Sequence, residues 1–259
     1  MLKRYKADLL VVANDEVGEG FFMLTLQHND SLPEIAPGQF VEIRVQGAQG
    51  VLLRRPISIH EADRQNNSIR LLIRRAGEGT RTLSAIPVGS KLDVLFPLGN
   101  GFDLDAAGER PMLVGGGVGV APLLQLGKDL AASGRRPTFV FGAKTSEALL
   151  RIDEYQKIGE VIVATEDGSL GTRGFVTDVP ALAPNEIKNF TCIMQCGPTP
   201  MMKAVAKRAQ QNGVRCFASL ENTMACGFGV CLCCVTDTIN GNKRVCADGP
   251  VFDVNDLKW

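Results

Sequence analysis

Four cysteines near the C-terminal end constrain this chain more than any other feature. Cys226, Cys231, Cys234 and Cys246 are spaced C-x4-C-x2-C-x11-C. A two-iron, two-sulfide centre would need four thiolates converging from a loop that wraps it, and this stretch has the spacing for such a loop. The first three follow the spacing of plant-type [2Fe–2S] sites, with the fourth more distant. Gly227 and Gly229 permit tight turns and let backbone N–H groups approach sulfur. Asn240-Gly241 is a two-residue hairpin signal that brings Cys246 back toward the others. Zinc competes as the ligand, although structural zinc sites usually present two C-x2-C-like pairs and the first pair here has four intervening residues. Unliganded thiols are a third reading. Cys233 reads as packing, because adjacent ligand cysteines strain the geometry. Cys192 and Cys216 sit in apolar strands and read as core.

The rest of the chain divides by rhythm. Over residues 1–100 the pattern is short strands with turn residues between them. Phe22, Leu24 and Leu26 alternate with Met23 and Thr25, and Phe40–Ile43 follows Pro37-Gly38. Further runs span Val51–Leu53 to Ile59, Ile69–Ile73 and Leu92–Phe96. This predicts a six-stranded antiparallel barrel, since closure removes exposed sheet edges. The Gly- and Pro-containing stretch from Pro97 marks a domain boundary. From Pro111 strands alternate with helices. The strands are Met112–Val114, Thr138–Phe141, Val161–Ala164, Cys192–Met194 and Val214–Ala218. The helices are Ala121–Ala132, Ser146–Lys157, a short one over Val176–Leu182, and Thr199–Gln211. Repeated β-α-β predicts a doubly wound parallel sheet over 101–219. The cysteine-rich subdomain, 220–259, fits neither pattern.

Lys plus Arg balances Asp plus Glu at 28 each, which argues against binding nucleic acid or an anionic membrane by bulk charge. No apolar signal segment opens the chain and no run is long enough to span a bilayer. A soluble, cytoplasmic protein is expected, with its eight cysteines reduced or metal-bound.

Two loops of the second domain have a binding character. Gly115-Gly116-Gly117-Val118-Gly119 follows a strand and opens a helix, so backbone can approach a pyrophosphate at a helix N-terminus. Cys196-Gly197-Pro198 repeats that setting. Both fall at C-terminal ends of parallel strands, where ligands bind in open α/β sheets. Cys196 reads equally as a thiol facing a bound nucleotide ring or as an inert strand-end residue. In the barrel, Arg54-Arg55-Pro56-Ile57-Ser58 ends a β-run with two adjacent guanidinium groups, one of which must point inward or meet a ligand because side chains alternate along a strand. A guanidinium fork suits a pyrophosphate and Ser58 adds a hydroxyl. Leu72-Ile73-Arg74, followed by Gly79 and Thr80, again joins strand, Arg and a Gly-rich turn. Solvated surface arginines are the plain alternative.

In sequence, R-P-x-S, G-x-G-T, G-G-G-x-G-x-A-P-L and C-G-P-x-x-M resemble the ferredoxin–NADP⁺ reductase superfamily over residues 1 to about 219. The cysteine tail narrows the resemblance to the electron-transfer subunits of NAD-dependent, B-type dihydroorotate dehydrogenases. The resemblance implies that the barrel binds FAD through Arg55, Pro56, Ile57, Ser58, Leu72, Ile73, Arg74, Gly79 and Thr80. It implies NAD(H) at Gly115, Gly116, Gly117, Gly119, Cys196, Gly197 and Pro198, and a [2Fe–2S] cluster on Cys226, Cys231, Cys234 and Cys246. The implied partner is an FMN-containing catalytic subunit, in a heterotetramer of two of each, which oxidises dihydroorotate in pyrimidine biosynthesis. Electrons then pass through the cluster and FAD to NAD⁺. Flavin belongs between the two because it exchanges a hydride with nicotinamide and single electrons with a cluster. No catalytic acid or base is expected of this chain. Asp167-Gly168-Ser169 matches the family, and carboxylates at Glu166 and Asp167 would repel a 2′-phosphate, favouring NAD over NADP.

Three other readings stay open on sequence. The same modules serve hydrogenase, sulfur-reductase or electron-bifurcating transhydrogenase subunits. A zinc-stabilised binding module and a stand-alone NAD(P)H oxidoreductase are the others.

Overall fold

The computed structural model describes residues 4–47 and 50–259. The first three residues of the expected barrel domain and two within it lie outside the described residues. The chain forms two compact units. One comprises Met1–Gly101, Glu221–Thr236 and Asn242–Pro250; the other comprises Phe102–Leu220, Asp237–Gly241 and Val251–Trp259.

In the first unit the strands are β1 (Tyr5–Gly18), β2 (Phe21–Gln27), β3 (Phe40–Ile43), β4 (Arg55–Ser58), β5 (Glu61–Asp63), β6 (Ser68–Arg74) and, after the helix α1 (Glu78–Ser84), β7 (Lys91–Leu98). They pair antiparallel in the order β4-β3-β7-β1-β2-β6-β5. β4 and β5 are separated by Ile59 and His60 alone, yet they stand at opposite ends of that order. They form one bent strand whose first half pairs with β3 and whose second half pairs with β6. Counted so, the sheet is the expected six-stranded antiparallel barrel, closed by a bend rather than by a further ladder. Alternate residues of each strand enter the core: Leu9 and Val11, Leu24 and Leu26, Val41 and Ile43, Leu71 and Ile73, Val94 and Phe96. Leu83 of α1 joins this core, so the helix caps the barrel.

β4 starts later than the run expected from Val51. Leu52 is 94% exposed and Val51–Leu53 form no strand. β1 is not among the expected runs; its period-2 pattern carries Lys6 and Asp8 on the outward face.

The second unit holds α2 (Leu104–Ala107), β8 (Pro111–Gly116), α3 (Leu123–Ala132), β9 (Thr138–Ala143), α4 (Ile152–Gln156), β10 (Glu160–Thr165), β11 (Thr172–Arg173), β12 (Cys192–Cys196), α5 (Thr199–Gln211) and β13 (Arg215–Ser219). The order β11-β10-β9-β8-β12-β13 is parallel throughout. It reverses direction between β8 and β12, which is the switch point of a doubly wound fold. The tail adds a hairpin, β14 (Val235–Thr238) and β15 (Gly241–Arg244), at the expected Asn240-Gly241 turn. A final strand, β16 (Val251–Asp253), pairs antiparallel with β13.

Two helices differ from expectation. The run Ser146–Lys157 is a 3₁₀ turn followed by the short α4, with Arg151 left-handed at φ 54° between them. Leu150 and Tyr155 are both buried. Five positions apart, they would lie about 140° apart around a continuous helix. The break puts both inside, where the Tyr155 hydroxyl donates to the Val120 carbonyl at 2.8 Å. The run Val176–Leu182 is two 3₁₀ turns, because Pro180 forces Val179 extended.

Candidate functional site

The cysteine loop is shaped by left-handed residues: Gly227 at φ 73°, Gly229 at φ 87° and Leu232 at φ 62°. Leu232 lacks the freedom of glycine, and the turn from Cys231 to Cys234 holds it there. Backbone N–H groups of Cys231, Phe228 and Val230 point at the Cys226 sulfur, and the Cys231 thiol adds a hydrogen bond. Burial opposes ionisation, but these donors prevail and bring the Cys226 thiol down to about 6. The Cys246 N–H donates to the Cys234 sulfur at 3.3 Å. Burial first, then the hydrogen bond to Cys234 and the nearby Cys226, push the Cys246 thiol up to about 12; the Gly229 N–H works the other way. The four thiols are thus arranged as two contacting pairs, Cys226 with Cys231 and Cys234 with Cys246. Among the described residues no three such side chains are gathered closely enough to hold a single ion. Thiolates under backbone N–H donors would suit an iron–sulfur cluster, whose sulfurs such donors stabilise. Cys233 is exposed.

The loop is anchored within its own unit. Arg244 donates through Nε to Asp248 Oδ2 at 2.9 Å and through a terminal nitrogen to the Gly229 carbonyl at 3.1 Å. That guanidinium holds the Asp248 carboxyl down at about 2. Asn100 donates to the Ala247 carbonyl at 3.0 Å. Gly227 lies on the barrel: a Cβ there would come within 2.8 Å of the Glu42 carboxyl and 2.9 Å of Leu98 Cδ1. Burial, and secondarily Cys226, push the Glu42 acid up to about 7 against the pull of Arg54. Sequence reasoning missed Glu42; a charged residue between Val41 and Ile43 reads there as an ordinary outward position.

The barrel separates its two adjacent arginines. Arg54 donates to Asp93 Oδ2 at 2.8 Å and to the Asp93 carbonyl at 2.9 Å. Arg54, Lys6 and Arg44 hold the Asp93 carboxyl below its usual range although burial opposes them. Arg55 instead reaches α1: a Cβ at Gly79 would lie 2.5 Å from its Nε. The R-P-I-S strand and the Gly-rich turn, distant in sequence, are therefore brought together, with Arg55, Gly79 and Thr80 converging. The Thr80 hydroxyl is already engaged, accepting from Ala76 N at 2.9 Å and Gly77 N at 3.2 Å. Only backbone N–H groups of this turn remain for a ligand. Pro56 and Ser58 lie on the opposite strand face from Arg55 and Ile57. On β6, Ile73 enters the barrel core, whereas Leu72 and Arg74 face outward. Of this group only Leu72 and Arg74 could meet a ligand by side chain, and Arg74 is exposed.

The glycine loop and the Cys196 loop meet at the switch point, with Gly115 paired to Cys196 across β8 and β12. A Cβ at Gly119 would lie 2.5 Å from Gly197 Cα and 2.6 Å from the Cys196 carbonyl carbon. A Cβ at Gly116 would lie 2.5 Å from Met201 Sδ and 2.9 Å from Pro198 Cδ. These glycines are required by contact between the loops. Gly117, at φ 55° and with open space around it, presents bare backbone. The Cys196 side chain is buried. At the end of β10, Asp167 Oδ1 accepts from the Ser169 N–H at 3.0 Å and hydroxyl at 2.7 Å, which keeps its carboxyl below the usual range.

Residues 12–102 match an oxidoreductase FAD-binding domain, 113–207 an oxidoreductase NAD-binding domain, and 221–258 the iron–sulfur cluster binding domain of dihydroorotate dehydrogenase B. The electron transfer subunit of dihydroorotate dehydrogenase B (NAD⁺) from Shouchella clausii is 39% identical, covering 99% of both chains. That of Geobacillus is 41% identical over 96% of this chain and 97% of its own. A solved NADH-dependent reduced ferredoxin–NADP oxidoreductase, studied for flavin-based electron bifurcation, superposes with a TM-score of 0.85 at 31% identity, covering 98% of this chain and 90% of that one. A ferredoxin reductase of carbazole 1,9a-dioxygenase shares the fold, with a TM-score of 0.71 at 20% identity over 82% of this chain and 67% of its own. No helix among the described residues is long and apolar enough to cross a membrane. The chain belongs to the electron transfer subunits of NAD-dependent dihydroorotate dehydrogenase B.

Proposed function

We propose that this chain accepts electrons from an FMN-containing dihydroorotate-oxidising subunit and delivers them to NAD⁺, in the cytoplasm, as part of a heterotetramer of two of each subunit. The observation that carries the reading is the pairing of four thiols under backbone N–H donors, in the same unit as the Arg55–Gly79 cradle. When bound, FAD supplies hydride exchange with nicotinamide and single-electron exchange with a [2Fe–2S] cluster.

The residues supply binding and orientation. Cys226, Cys231, Cys234 and Cys246 would hold the cluster through their thiolates. Arg55 pairs with the FAD pyrophosphate, joined by backbone N–H groups of Gly79 and Thr80. Pro56, Ile57, Ser58, Leu72, Ile73 and Arg74 shape the flavin strands, Ile73 by packing the barrel beneath them. Gly115, Gly116, Gly117 and Gly119, with Cys196, Gly197 and Pro198, form the NAD(H) diphosphate site, and Asp167 disfavours a 2′-phosphate. The catalytic partner docks over the cluster loop, where Phe228, Val230 and Leu232 are exposed beside Cys231. Apolar residues ringing a redox centre suit docking that brings two centres close.

The test is to reconstitute the chain with its catalytic subunit and follow NAD⁺ reduction by dihydroorotate. Activity that requires both chains and falls away with Val230→Glu supports the reading. Full activity of this chain alone with soluble acceptors, unaffected by Val230→Glu, contradicts it.

A further inference from the structure

The barrel buries one carboxyl that the reading above does not use. Glu42 stands between Val41 and Ile43, both of which enter the barrel core, so its own side chain points to the opposite face. There it is fully buried, and neither carboxyl oxygen has a hydrogen-bond partner among the described residues. Burying a carboxyl without partners is strongly unfavourable. Such a group in the middle of a sheet calls for an explanation in what it faces.

It faces the cluster loop on one side and the flavin strand on the other. A Cβ at Gly227 would lie 2.8 Å from both Glu42 Cδ and Oε2. Gly227 immediately follows Cys226 and is left-handed at φ 73°, so its lack of a side chain lets backbone rest on the carboxyl. Across the β3–β4 ladder Glu42 is paired with Pro56 of the R-P-I-S segment. The nearest cation acting on it, Arg54, is committed to Asp93 at 2.8 Å and does not hydrogen-bond the Glu42 carboxyl. Glu42 is thus an acid group without a hydrogen-bond partner, neutral below about 7 and charged above it, placed where the flavin strand and the cluster loop meet.

We propose that Glu42 is a positioning residue of the redox centre, whose carboxyl, held against Gly227, lowers the reduction potential of the cluster on Cys226, Cys231, Cys234 and Cys246. The physical basis is Coulombic. A negative charge in a water-poor site disfavours an added electron nearby, and local charge is one of the factors that set cluster potentials. The consequence is a smaller uphill step for an electron leaving the cluster toward flavin. This inference rests on the cluster assignment proposed above.

The test uses the full-length, anaerobically purified holoprotein. EPR-monitored redox titration at pH 8.5, with iron, sulfide and flavin contents, compares wild type with Glu42→Gln and Glu42→Asp. The expected result is a cluster retained in both variants, a raised midpoint potential in Glu42→Gln, and a potential near wild type in Glu42→Asp. Coincident potentials for Glu42→Gln and wild type, with the cluster intact, overturn the proposal. So do equal shifts in the two variants, which would mark packing rather than charge. Should Glu42→Gln lose the cluster, retention in Glu42→Asp supports a requirement for the carboxylate, and loss in both overturns it. A wild-type protein with no reduced-state signal defeats the cluster assignment itself, a separate and visible failure.

Discussion

Replacing Gly119 by alanine is expected to damage nicotinamide nucleotide binding while sparing the other two cofactors. The added Cβ would sit 2.5 Å from Gly197 Cα and 2.6 Å from the Cys196 carbonyl carbon, against ordinary contact from 3.4 Å outward. The overlap is nearly an ångström, and it is with backbone, so no side-chain rotation relieves it. Overpacking of this kind costs about 1–3 kcal/mol, and a backbone clash belongs at the upper end. The strain is relieved by parting the two loops that Gly119 and Gly197 hold together, which are the loops assigned to the diphosphate. A loss of about 1.4–3 kcal/mol corresponds to an affinity drop of roughly 10- to 100-fold. Anaerobic titration with NADH, followed by bleaching of the flavin, reads this directly. FAD content and the cluster signal should be unchanged, because their residues belong to the other unit. An NADH affinity within about twofold of wild type would refute the argument that contact between these loops builds the site.

Other substitutions separate the remaining sites. Cys231→Ser should abolish the cluster absorbance and leave flavin bound, as seen by visible spectroscopy and iron analysis; an unchanged cluster spectrum would remove Cys231 from the ligand set. Arg55→Ala should release FAD on desalting, whereas Arg54→Ala should retain FAD better but lower thermal stability, since Arg54 is tied to Asp93; flavin loss from Arg54→Ala alone would reverse the assignment. Asp93→Asn should destabilise the barrel at neutral pH by about 1.5–3 kcal/mol, the range for hydrogen bonds to charged groups. The Asp93 carboxyl is depressed below the ordinary aspartate value of about 3.9. Its contribution is therefore fully present above that value and is lost as pH falls through the lower, folded value. From about pH 5 down to about pH 2 the melting temperature should fall more steeply for wild type than for Asp93→Asn, and parallel declines would count against the ion pair.

The parts of this molecule that were legible in sequence are those where local pattern and long-range structure agree. Alternation at Phe22–Leu26 made β2, glycine between strand and helix made the Gly115–Gly119 loop, and the helix over Thr199–Gln211 forms with the expected ends. The cysteine spacing pointed to a shared centre because such a centre restricts how far apart its ligands can lie along the chain, and residues 221–258 match an iron–sulfur cluster binding domain. What stayed hidden depends on contacts that no local window contains. Arg54 and Arg55 are neighbours with opposite assignments, and only the positions of Asp93 and Gly79 distinguish them. The break at Arg151 serves the burial of Leu150 and Tyr155 together. Glu42 looks like any outward strand residue until the cluster loop, far along the chain, covers it. Thr80 shows the converse, since its hydroxyl is taken by its own turn, so a motif position does not imply a free side chain.

The central claim is that one chain carries both a flavin and a two-iron cluster. The most direct test is the absorption and EPR spectrum of anaerobically purified protein, oxidised and then reduced with NADH, alongside iron, zinc and flavin analysis. Flavin bands that bleach with NADH, a reduced-state [2Fe–2S] signal, and two irons for each flavin are the expected result. A colourless protein containing one zinc and no flavin would contradict it.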